Sequence, residues 1–184
     1  MTTQNLSITS ALLIAFALST AQADSLKAGR MTVAGEAKET LQEIDASAFT
    51  VAEEAGQLRQ FSANPQYGPE AHLDKLIAMK EEINRIGREI GSLEAERDAL
   101  APWEQQAIDK TLPLLKETAA NTQNAIEYFN ENRAHLWTVN YREYASVIWR
   151  DSEQIAKTLK DYLKYAKARD QEQQLEQRLG VAGS

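Results

Sequence analysis

The chain has 184 residues, 43% of them hydrophobic and 26% charged, which suits one domain with a buried core and is too apolar for intrinsic disorder. Its formal charge is −7, and its basic residues are interspersed with acids almost everywhere. Nucleic acid is therefore not expected as a partner, because a bound polyanion needs a basic face. The absence of cysteine excludes disulfides, a thiol nucleophile, a thiolate metal site, a lipoprotein anchor and covalent c-type haem.

No charged side chain occurs before Asp24, and Ile8 to Leu18 is mostly apolar, the length of a signal-peptide core and too short to span a bilayer unaided. Ala21-Gln22-Ala23 supplies small residues at −3 and −1 of a cleavage site. Residues 1–23 are thus expected to form a secretory signal cut between Ala23 and Asp24, although Met1 to Ser7 lacks the usual Lys or Arg. The alternatives are an uncleaved anchor or a misassigned start codon. Export would place the mature chain in the periplasm or outside the cell, with no stable membrane insertion once the signal is removed. Residues 24–34 show no clear period and are expected to be a flexible lead-in.

Only 8 glycines and 4 prolines are available for turns, which favours a few long helices. The first is predicted over 36–62, with rows Leu41, Ala48, Ala55 and Ile44, Val51, Leu58 at alternating spacings of three and four. Phe49 and Phe61 flank this small-sided stripe and are expected to fill the gaps its alanines leave. Asn64-Pro65-Gln66-Tyr67-Gly68-Pro69 reads as a loop, with Pro69 and Glu70 suited to the first turn of a second helix over 69–100. There, Leu76, Ile83, Ile90 and Met79, Ile86, Leu93, Leu100 form an a/d seam. Gly87 and Gly91, inside this helix, are expected to mark close packing by a neighbour.

Pro102 opens a third helix over 102–134, so the turn before it is short and the flanking helices must run antiparallel. Its expected rows are Ile108, Leu115, Thr122, Phe129, Leu136 and Leu112, Ala119, Ile126. Pro113 is expected to bend it. Asn140 and Glu143 form a capping-box variant that starts a fourth helix at Tyr141, running to 168 with rows Tyr141, Ile148, Ile155, Tyr162 and Ala145, Ser152, Leu159, Ala166. Residues 169–184 are Gln- and Glu-rich, a polar helical overhang or a disordered tail. The fold class that follows is all-α: an antiparallel up-down-up-down four-helix bundle over residues 35–168 with coiled-coil-like packing, preceded by a cleaved signal peptide.

Few chemistries suit this pattern. The apolar rows carry no Asp or Glu, and neither His72 nor His135 follows a Glu at i−3, so a carboxylate-bridged metal site is not expected and no metal or catalytic residue is assigned. His72, Met79 and His135 fall toward one end of the bundle and are the candidates for a haem or small-ligand site. His72 is expected beside solvent in a first helical turn, and surface histidines with a core methionine are the simpler reading, so no cofactor is assigned. Arg133 is expected near Glu53 or Glu54. Trp137, Tyr144 and Trp149 belong to an aromatic group around the last turn, read either as a plug closing the bundle or as an interaction surface. Together these features point to an exported, non-enzymatic structural or protein-interaction module of the cell envelope, with an unidentified envelope protein as partner and an open oligomeric state. The alternative is a small-ligand or haem-binding periplasmic bundle.

Overall fold

The computed structural model describes the backbone of residues 12–180 and the side chains of residues 35–180. Four long helices account for nearly all of it: α1 (Leu12–Phe61), α2 (Pro69–Ala95), α3 (Pro102–Glu131) and α4 (Val139–Leu179), with a single 3-10 turn, Arg97–Ala99, between α2 and α3. No strand occurs among the described residues. Residues 1–11 and 181–184 lie outside the described residues, as do the side chains of 12–34. The predicted signal core, the Ala23–Asp24 cleavage position and the surroundings of the lead-in fall there.

Helix boundaries follow local chemistry. Pro69 and Pro102 occupy first-turn positions of α2 and α3, where a missing N–H costs nothing. Glu104 reaches back to accept the Ala101 N–H at 2.6 Å, closing the N-terminus of α3. The second helix ends earlier than the predicted residue 100. Arg97 donates to Asp109 at 2.7 and 2.8 Å and to Glu94 at 2.6 Å. Gln105 Nε2 then donates to the freed carbonyls of Arg97 and Leu100, at 2.9 and 3.1 Å. The fourth helix is capped by Thr138, whose Oγ1 accepts the Tyr141 N–H at 3.4 Å, rather than by Asn140. At its other end the helix continues to Leu179, beyond the predicted residue 168, and stops at Gly180, whose φ of 66° is the left-handed conformation that suits glycine.

Adjacent helices run in opposite directions, as residue pairs along each seam show. Ser47 meets Arg85 while Glu54 meets Lys75 across α1 and α2. Lys38 meets Asp170 while Gly56 meets Trp149 across α1 and α4. Tyr128 meets Thr138 while Glu117 meets Arg150 across α3 and α4. The predicted rows of α1 and α2 are buried, with Leu41, Ile44, Leu58, Leu76, Met79 and Ile86 almost fully enclosed. So are Ile148, Ile155 and Leu159 of α4.

Several side chains sit elsewhere than predicted. The second buried row of α3 is Glu104, Thr111, Thr118 and Ala125, one residue before the predicted Leu112, Ala119 and Ile126, which are only half-buried. Two of these polar residues can enter because they find partners on their own helix: Thr111 donates to the Ala107 carbonyl at 2.8 Å, and Glu104 accepts the Ala101 N–H. Thr118 Oγ1 has no partner among the described residues. Phe49 does not fill the core; it is 58% exposed. Nothing approaches a Cβ built on Gly87 or Gly91 within 4 Å, so these glycines border open space rather than a close neighbour. Arg133 lies over the Phe129 ring at 5.1 Å, while Glu54 takes Lys75 at 2.8 Å. Acids do enter the core: Glu104 and Asp151 are both buried.

Ile90 lies in the continuous core with Leu115. Ile90→Ala should lower the unfolding free energy by about 2–5 kcal/mol through lost burial and the cavity left behind. Glu172→Ala, on the exposed end of α4, should leave the urea midpoint unchanged within error. Urea unfolding followed by circular dichroism measures both.

Candidate interaction surfaces and the buried histidine

His72 is enclosed, not solvated. Its ring packs edge-on to Phe61 with centroids 5.9 Å apart, and against Tyr141 at 5.6 Å. Tyr141 in turn stacks on Tyr128 at 5.5 Å, and Tyr128 meets the edge of Tyr144 at 6.5 Å. These rings tie the α1–α2 loop to the start of α4. Leu58, Leu76 and Ile148 belong to the same apolar core as Tyr141. Neither His72 Nδ1 nor Tyr141 Oη has a hydrogen-bond partner among the described residues. Desolvation therefore pushes the His72 imidazolium below its usual range and holds the Tyr141 phenol protonated.

The other candidate residues do not converge on His72. Met79, one heptad along α2, is fully enclosed in the apolar core. His135 is exposed and lies against Trp137, with ring centroids 5.6 Å apart. Among the described residues, no three His, Asp or Glu side chains cluster closely enough to hold a metal ion, and no helix is long and apolar enough to cross a membrane.

Among the hollows between helices, two bear on the candidate residues and rows. The first is a cleft of about 970 Å³ between α1 and α4. Ala52, Gly56 and Ala156 are among its lining residues, Phe49 and Trp149 bring aromatic rings to it, and Asp45, Glu153 and Lys160 add charge. Arg59 covers one face of Trp149 at 4.5 Å, which fixes the indole at the cleft's end. Burial pushes the Asp45 carboxyl up, and Lys160 partly opposes this. Trp149 and Tyr144 are thus half-buried, Trp137 is exposed, and only Trp149 joins the cleft.

The second seam lies between α2 and α3, which touch along less of their length than any other neighbouring pair. Leu73 and Ile77 are 37% and 46% exposed along it, and Gly87 and Ala119 border a hollow of about 460 Å³ farther on. The signal for this surface was present in the sequence. Ala119 and Ile126 of the predicted apolar row border the seam's hollows while packing on the rim of the core, and no side chain comes within 4 Å of a Cβ built on Gly87 or Gly91. Reading every apolar row as core hid it.

The fold and these surfaces define an all-α protein of four mutually packed helices. The chain matches no protein-family model, no curated protein and no solved structure.

His72 makes the fold sensitive to acid. Its folded pKa lies below the ordinary 6.5, so its contribution is fully present above that value and is lost as pH falls through 6.5 toward the folded pKa. Glu104, Glu89 and Asp45 are shifted the other way, upward by burial, and give the opposite slope at lower pH. His72→Phe should therefore remove only the loss of stability that begins near pH 6.5. Urea midpoints measured from pH 7.5 to 5.5 in wild type and variant should diverge in that window, with the variant curve the flatter (roughly one pH unit either side of the ordinary value).

Proposed function

We propose that the mature protein is an exported, non-enzymatic helical bundle, up-down-up-down with coiled-coil-like seams, that acts as a protein-interaction module of the cell envelope. The observation that carries this reading is the α1–α4 cleft, which Phe49, 58% exposed, and Trp149 both line together with small side chains. An aromatic knob over a floor of alanine and glycine is the composition of a groove that receives a partner helix, and such anchors carry most of the energy of a protein interface. The apolar segment before Ala23 supports export. His72 does not favour the haem alternative: its ring is shut in by Phe61 and Tyr141 and offers no open face to a macrocycle.

A photo-crosslinking amino acid at position 49, expressed in the native host, should give a discrete adduct in the envelope fraction. The same probe at the exposed Lys110 should give none. Equal labelling from both positions, or none from position 49, overturns the interaction reading. Intact-mass measurement of the purified product should begin at Asp24, and retention of Met1 overturns the cleaved signal.

A further inference from the structure

We infer that the hollow between the start of α3 and the C-terminal half of α4 binds a neutral oligosaccharide. It shares no lining residue with the Phe49 cleft or with the hollows of the α2–α3 seam, so this reading and the interaction reading can each fail alone. The hollow holds about 620 Å³, within the range of small-molecule sites. Its walls are aromatic. Trp103 comes from the first turn of α3, and Tyr162 and Tyr165 come from α4, one turn apart on one face. Trp103 and Tyr162 also pack against the core, which holds these two rings in place. Tyr165 is 52% exposed, and the Arg169 guanidinium lies over its ring at 5.8 Å. The close ring pairs among the described residues all lie at the opposite end, around Phe61, His72, Tyr128 and Trp137. The three rings of this hollow do not stack on one another, and the gap between them is open to a guest.

Polar groups line the same space. Gln106 stands one turn from Trp103 on α3, while Asp161 and Arg169 stand one turn to either side of Tyr165 on α4. The formal charges of Asp161 and Arg169 cancel. Asp161 meets only Lys164, at 3.7 Å and in solvent, and Arg169 forms no ion pair among the described residues. Gln106 is uncommitted among them too, whereas its neighbour Gln105 is tied to the Arg97 and Leu100 carbonyls. The indole N–H of Trp103 and the two phenols add further hydrogen-bonding groups. The site thus offers both donors and acceptors, no net charge and flat apolar faces.

That combination selects among ligand chemistries. An anion would meet the Asp161 carboxylate. A quaternary ammonium would meet Arg169, already seated on Tyr165, and could not use the polar groups. A proline-rich strand suits aromatic walls, but its prolines carry carbonyls and no N–H, so Asp161 would be covered without a donor. A sugar ring supplies what each of these leaves out. Its C–H face is weakly positive and stacks on the negative face of an aromatic ring, and the hydroxyls at its rim both donate and accept. From Asp161 to Arg169 the site follows α4 for about 12 Å, longer than one sugar ring, so the guest is an oligomer. An open, solvated groove binds such a guest weakly, with a dissociation constant on the order of 0.1–1 mM.

Proton–nitrogen correlation spectra of the protein purified after expression of the full chain test this, because its 3 tryptophans place indole N–H reporters at three separate sites. Trp137→Phe and Trp149→Phe assign two of the signals and leave that of Trp103. Cellotriose, maltotriose and tri-N-acetylchitotriose are the probes, each titrated to about 10 mM, above the weak end of the expected range. The Trp103 signal should move saturably with at least one of them, while those of Trp137 and Trp149 stay in place. Tyr165→Ala should weaken that binding at least ~10-fold, and Asp161→Ala should weaken it severalfold. Both positions are exposed, so far-ultraviolet circular dichroism and thermal midpoint should be retained. Phe49→Ala should leave saccharide binding unchanged, which separates this site from the α1–α4 cleft. No saturable shift with any of the three sugars, equal shifts of all the indoles, or a Tyr165→Ala protein that binds as tightly as wild type overturns the proposal. A Trp103 signal that answers only to choline chloride or to a polyproline peptide, run as rival probes, overturns it as well.

Discussion

The narrow stripe of α1 sets the geometry of the whole fold. Ala37, Ala48, Ala52 and Ala55, with Ser47, occupy buried positions where larger side chains usually stand. Small residues let neighbouring backbones approach, so α1 shares long seams with both α2 and α4, while Leu41, Ile44, Val51 and Leu58 fill the layers between. An antiparallel ring of four helices that closes tightly around one narrow member leaves its surplus space on the opposite side. Here that side is the α2–α3 seam, where Gly87 and Gly91 face open space. The cleft thus lies over the outer edge of α1, and the α2–α3 seam lies across the bundle from the α1–α4 seam.

Where large apolar residues recur, the sequence was legible. The Leu76–Ile83–Ile90 and Met79–Ile86–Leu93 rows of α2 are buried as their spacing requires, as are the α1 rows and those of α4 except Tyr162, which is half-buried. The failures share a cause. On α3 the apolar residues form a stripe broader than the core can cover, and the helix turns to bury Thr111, Thr118 and Ala125 in place of Leu112, Ala119 and Ile126. A threonine that bonds its own helix carries little desolvation cost, so polarity alone did not disqualify Thr111. Helix ends were missed where a long-range side chain decided them. Arg97 is drawn to Asp109, and Thr138 is held by Tyr128, pairings that no local pattern announces. His72 was expected beside solvent because it follows a proline by one turn; Phe61 and Tyr141, distant in sequence, close over it.

The buried polar groups fall into two kinds. Thr122 bonds the Thr118 carbonyl at 2.9 Å and Ser47 the Glu43 carbonyl at 3.0 Å, so these hydroxyls add register information at little cost. Tyr141 Oη, His72 Nδ1 and Ser152 Oγ have no such partner. Each unpaired group opposes folding by about 1–3 kcal/mol, which large ring surfaces offset at the aromatic end. Asp151 stands between the two cases, with one oxygen held by Arg150 at 2.8 Å and the other unpaired.

The αL cap at Gly180 has a dynamic consequence for α4. From Tyr141 to Leu159 the helix is fastened by core contacts, so its amides are released only when the bundle itself unfolds. From Lys167 onward no face is buried, and the segment is a helix by propensity, by continuity with the packed turns before it and by the Gly180 N–H bonded to the Glu176 carbonyl. Its local opening energy must fall steadily toward Leu179, leaving a single unbroken helix with a rigid half and a breathing half. Among the described residues the breathing half gives up only the Lys38–Asp170 ion pair when it opens, so a surface that captured it would gain contact energy and meet chiefly the entropy of stilling about three helical turns.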